Sequence, residues 1–136
     1  VIPAVWRRLR GEDGHVTIWV MIIGVTIMTA GGMVYDGADK ANQARRATMI
    51  ANEAGRAASQ ELSADVVAGE GVSIDLAGAA DAARTYLDSA GAEGSVSVEG
   101  TQVVIRTSLP WEPSVLPLPS DTLTATATVD AQEVAP

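Results

Sequence analysis

In 136 residues the chain has no cysteine, no phenylalanine, one histidine and one lysine. The missing cysteine removes disulfides, thiolate metal ligands and thiol nucleophiles together. The lone histidine, His15, lies far from the C-terminal part of the sequence, which therefore has no Ser-His pair and no histidine-based metal cluster. Lys40 follows no phosphate-binding glycine loop, the "GEG" at 69–71 lacks the third glycine of a dinucleotide fingerprint, and G-x-S-x-G is absent. The acidic residues do not follow calcium-loop spacing. Aromatics make up 4% of the chain, so a core must come from Ala, Val and Leu and will be thin, with little room for a deep pocket. These absences predict a chain that is not an enzyme and that uses no cofactor, metal or small-molecule substrate. An anchored hydrolase working through two converging carboxylates is the remaining catalytic alternative.

Charge is uneven along a chain of net −8. Residues 1–56 carry seven Lys/Arg and five Asp/Glu, whereas residues 57–136 carry two and twelve. Phosphate binding needs clustered cations, so the acidic C-terminal part predicts no nucleic-acid partner.

What is present is an uncharged block, "VTIWVMIIGVTIMTAGGMVY", over residues 16–35. Twenty helical residues at 1.5 Å each match a hydrocarbon core about 30 Å thick. A buried soluble helix would need apolar partners on every side, and the small-residue remainder of the chain cannot supply them. A cleaved signal peptide has a shorter apolar region and is not usually followed by helix-prone sequence. The retained anchor fits best, with Trp19 and Tyr35 near the two interfaces. Arg7, Arg8 and Arg10 ahead of the block predict a single-pass chain in the cell membrane, N-terminus cytoplasmic and C-terminal part outside. Lys40, Arg45 and Arg46 on the far side soften that bias. Asp36 marks where the helix leaves hydrocarbon, since an ionised group at mid-membrane is costly.

Residues 36–64 have no proline and many good helix formers, which predicts one continuous rod from about His15 to Ala64. Ala41, Ala44, Ala47, Ala51, Ala54, Ala58 and Leu62 step by three or four and form a narrow stripe. That stripe packs either on the chain's own C-terminal domain or on neighbouring copies in an assembly. Gly24, Met28 and Gly31 make a candidate close-packing face within the membrane.

Beyond the glycines of "AGEGVS", a second helix is predicted with Ser73 or Asp75 as N-cap, a face of Leu76, Ala79, Ala80, Ala83 and Leu87, and Gly91 at its end. Alternation through Val96 and Val98, a turn at Glu99-Gly100-Thr101, and resumption through Val103 and Ile105 read as a hairpin. After the proline-rich "PWEPSVLPLP", Leu123, Ala125, Ala127 and Val129 alternate with threonines as a third strand. The expectation is an α+β chain. A basic segment (1–15) precedes a transmembrane helix (16–35) that continues outward (36–64), and a head (65–136) follows in which a short helix packs on a three-stranded antiparallel meander. So small a meander is weak alone, so the long helix is expected to lend it part of its core.

The stretch from Arg10 to Ala57, with Gly11, Gly14, Val16, Trp19, Asp36, Gly37, Arg46, Ala47, Ile50, Ala51, Ala54 and Arg56 in register, resembles the N-terminal region of TadE/TadG-like proteins of tight-adherence (Flp) pili, in their actinobacterial form. The β-rich tail is similar to that of such proteins. The resemblance implies a minor pilin-like or pseudopilin subunit, or a membrane-bound assembly component, whose partners are other pilin-like or Tad-type membrane subunits and the lipid bilayer. It suggests Gly14 as a candidate processing site, but the fifth residue after it is Trp19 where processed pilin-like chains carry Glu. It also suggests Asp36, Gly37, Arg45 and Arg46 as candidate assembly contacts, Asp36 pairing with Arg45 or Arg46 of an adjacent subunit. The alternative for Asp36 is a solvated boundary carboxylate. The alternative for the whole chain is a membrane-tethered extracytoplasmic binding module.

Overall fold

A computed structural model describes residues 13–67 and 75–131. The arginines at 7, 8 and 10, the glycine break at 68–72 and the alternative cap Ser73 lie outside the described residues. The architecture is α+β. A 55-residue helix, α1 (Asp13–Val67), is followed by α2 (Leu76–Ser89) and by strands β1 (Glu93–Glu99), β2 (Gln102–Trp111) and β3 (Asp121–Asp130). The strands form an antiparallel sheet in the order β1-β2-β3.

At 1.5 Å per residue α1 is about 80 Å long, far longer than the sheet beside it. Its C-terminal half lies over β2 and β3, while α2 covers β1 and also leans on α1. Both helices therefore sit on one face of the sheet, giving two layers around a single core. Ile50, Ala54 and Ala58 of α1, Ala79, Ala80, Ala83 and Leu87 of α2, and Val103 and Ile105 of β2 form that core. Alanines let the helix backbones come close, so contact is achieved by proximity where large side chains are lacking. The head thus borrows α1 for its core, as its small size requires.

Local signals account for the small elements. The Asp75 side chain accepts a hydrogen bond from the Gly78 N–H, 2.8 Å away, and caps α2. Gly91, with φ of +62°, ends the helix in the left-handed conformation that a side chain disfavours. Gly100, φ +64°, opens the two-residue Gly100-Thr101 turn between the paired Glu99 and Gln102, the position where a hairpin of this kind requires glycine. Register places Val96 opposite Ile105 and Ile105 opposite Ala127, so one row of apolar residues faces the helices. The other face presents Ser95, Ser97, Arg106, Thr124, Thr126 and Thr128, around a buried Val104.

The α1 stripe differs from expectation at one end. Ala47, Ala51, Ala54 and Ala58 are buried and Leu62 is half-buried, but Ala41 and Ala44 are exposed. At 3.6 residues per turn the buried line runs upward from Ala47 through Gln43 and Lys40 to Asp36 and Gly32, because the end of the sheet meets the helix there with polar groups and a loop.

Candidate functional site: a helix-loop clamp at Asp36

Positions 32, 36, 39 and 40 share one face of α1, being three or four residues apart. Opposite them lies the connection between β2 and β3, residues 112–120, whose two stems are held in register by the Trp111–Asp121 pair. Glycine at 32 lets this loop approach closely. A Cβ there would lie 2.9 Å from Val115 Cγ1 and 3.1 Å from Leu116 Cδ2.

One turn further along, the Asp36 side chain is only 2% exposed and accepts a fan of backbone N–H groups. Oδ1 receives Ser114 N at 3.0 Å and Val115 N at 3.1 Å, while Oδ2 receives Leu116 N at 2.9 Å and, more weakly, Val115 N at 3.4 Å. Three successive N–H groups converging on one point make a concavity suited to an anion, and here the chain's own carboxylate fills it. Burial pushes the carboxyl up, but the bonds from Leu116, Ser114 and Val115 outweigh that and hold Asp36 below the usual carboxylate range. Asp36 is thus ionised at neutral pH, its charge stabilised by the backbone dipoles of the loop.

The loop's sequence fits this use. Pro113, Pro117 and Pro119 have no N–H to satisfy. Of the remaining donors between 113 and 119, three go to Asp36 and the fourth, Leu118 N, reaches the Leu116 carbonyl at 2.8 Å across Pro117. Every N–H of the segment is therefore accounted for.

The stems are latched separately. Trp111, 6% exposed, donates Nε1–H to Asp39 Oδ2 at 3.0 Å, and the Lys40 ammonium lies 5.0 Å from the centre of its ring. Lys40 also pairs with Asp121 at 2.6 Å. That hydrogen bond, the Thr122 N–H and the Lys40 charge together lower the Asp121 pKa against a smaller opposing effect of burial. Both partners are about half exposed, so the ion pair orients more than it stabilises.

Asp36 therefore has a role that neither sequence expectation described. It is not a solvated boundary carboxylate: it is buried, and both its oxygens accept backbone N–H groups of the loop. Arg45 and Arg46 are exposed, and Gly37 borders open space. Ala47, Ala51, Ala54 and Ala58 are buried within the chain, the last two in its core cluster. Gly24 and Gly31 have open space at their Cβ positions and Met28 is 79% exposed, leaving that face uncovered. Gly14 lies at the start of α1. Sequence reasoning missed Gly32, Asp39, Lys40, Trp111, Asp121 and the loop donors. The usable signal was three prolines bracketing an uncharged "SVLPLP" with few free N–H groups.

Within 16–35, among the described residues, Gly32 alone is buried. Ile18, Trp19, Ile22, Ile23, Ile27 and Val34 are all more than half exposed. This part of α1 is long and apolar enough to cross a membrane and lies near the N-terminus. Searches against family models, curated proteins and solved structures return no match for the chain.

Proposed function

We propose that this chain is a minor pilin-like or membrane-anchored assembly subunit of a Tad/Flp-type pilus or secretion apparatus, with a structural and not a catalytic task. The observation that carries this reading is the continuity of α1. Its apolar half has no covering partner among the described residues, and the same helix runs without interruption into the core of the head. Force or position imposed on the shaft is thereby transmitted to the head through a rigid element. The resemblance of residues 10–57 to TadE/TadG-like proteins supplies the apparatus. In this reading the basic N-terminus is cytoplasmic, the head lies outside, and the uncovered face of Gly24, Met28 and Gly31 packs on sister helices.

Shearing and fractionating cells, with capture of bound proteins, tests the proposal. A filament subunit leaves with the sheared material, and an assembly component stays with the membrane while capturing Tad-type partners. Retention without such partners overturns the reading in favour of a membrane-tethered binding module, for which the open Ser/Thr face of the sheet is the natural recognition surface. Mass spectrometry of the native N-terminus tests processing after Gly14, which the reading accommodates only for the filament case.

A further inference from the structure

The β2–β3 loop meets the anchor helix above the point where charge begins. Val115 and Leu116 rest on Gly32, one turn of helix and about 6 Å on the apolar side of Asp36. From Pro113 to Ser120 the loop has no charged residue, as 16–35 has none. Yet its large side chains are not folded inward, for Val115 is 54% and Leu118 is 50% exposed. Charged groups collect on the other side of this level, at Asp39, Lys40, Glu112 and Asp121. An apolar loop beside an apolar shaft, with a charged layer below both, has the polarity profile of a membrane boundary.

We propose that the segment Pro113–Ser120 is a second membrane contact, dipping Val115 and Leu118 into the interfacial region of the outer leaflet and fixing the tilt of the head on the bilayer. The proposal rests on the reading of 16–35 as a membrane anchor. The backbone accounting supports it: hydrocarbon penalises unpaired donors, and this loop leaves none between 113 and 119. Three prolines further restrict it, so little conformational entropy remains to be lost on insertion. The Asp36 carboxylate is the element that makes this geometry possible, because it gathers the donors on the shaft side and leaves the apolar side chains outward. Lipid is the occupant to which the chemistry points, since the loop meets the shaft at Gly32, inside the uncharged run 16–35, where the flanking Met33 and Tyr35 are exposed.

The absence of cysteine makes the test direct. Full-length Val25→Cys, Leu118→Cys and Thr126→Cys variants, each carrying an environment-sensitive fluorophore, are placed in phosphatidylcholine/phosphatidylglycerol vesicles and exposed to a lipid-borne spin-label quencher or to aqueous iodide. The expected result is blue-shifted emission at 25 and 118, losing most of its intensity to the lipid-borne quencher and little to iodide, with the reverse at 126. Iodide quenching at 118 while 25 stays in lipid overturns the loop contact and leaves the anchor standing. Shielding of 118 from both quenchers assigns the loop to a protein neighbour and overturns it as well. Iodide quenching at 25 removes the anchor, and the loop proposal falls with it.

Discussion

The two halves of α1 differ in composition and in how their apolar residues are arranged, and only one of them finds partners among the described residues. From Ala47 to Leu62 a stripe of Ala47, Ile50, Ala51, Ala54 and Ala58, ending in a half-buried Leu62, is covered by the head, with Arg, Asn, Gln and Glu among the residues elsewhere. From Val16 to Tyr35 apolar residues occupy every side, and among the described residues no element of the head reaches beyond Gly32 to cover them. A stripe can be covered by one domain, whereas an all-round apolar surface needs a surrounding medium or a bundle. The halves differ in composition, with eight charged residues over 36–62 and none over 16–35, and in angular distribution, and the boundary between them is where the clamp sits.

Substitutions on either half of the helix and in the head it supports should have unequal effects. The largest effect is expected at Ile105, fully buried on the central strand. Ile105→Ala should cost about 2–5 kcal/mol, enough to unfold much of so small a head, as read by thermal denaturation in detergent. Next is a matched pair of enlargements on the two halves of the helix. Ala54→Leu, at a fully buried position, should cost about 1–3 kcal/mol by overpacking, while Ala30→Leu, on the exposed half, should change head stability by less than about 0.5 kcal/mol. Equal effects would show that the exposed half is also packed in the chain. A smaller effect of opposite sign is expected at Thr107, which is fully buried and whose Oγ1 has no partner among the described residues. Thr107→Val keeps the shape and removes the unpaired hydroxyl, and should raise stability by about 1 kcal/mol in chemical denaturation.

The smallest effect on global stability is expected from pH, acting on the clamp alone. Asp36 and Asp121 are both held below the usual carboxylate range in the folded chain. Their contribution is therefore complete above the unfolded value of about 3.9 and is lost as pH falls through the lower folded values. Amides of Ser114, Val115 and Leu116 should be protected from hydrogen exchange, after correction for intrinsic rate, down to about pH 4 and lose protection below it. Amides of β2 should stay protected over the same range. Asp36→Asn should abolish the loop's protection at neutral pH, and retained protection would show that the prolines alone hold the loop.

Much of the fold was legible because its signals are local. Asp75 and Gly91 bracket α2, alternation defines the strands, and Gly100 sets the turn that fixes the hairpin register. The stripe from Ala47 to Leu62 is legible by spacing, whereas Ala41 and Ala44 continue that spacing but stay exposed, because the helix meets the head there through Asp36, Asp39 and Lys40. The clamp was not legible for a different reason. Asp36 lies 78 to 80 residues from its partners, and those partners are backbone N–H groups, which carry no side-chain signature. Trp111 and Asp39, 72 residues apart, are likewise joined only by folding.

That one helix carries both an all-round apolar half and a striped half follows from residue order alone, because periodicity and charge are properties of consecutive residues. The caps, the strands and the turn follow for the same reason. Burial of the stripe inside the chain, and the grip of the boundary aspartate on the β2–β3 loop, arise only on folding. Which donors converge on a carboxylate depends on where the sheet ends along the helix, and that is fixed by packing of the whole head.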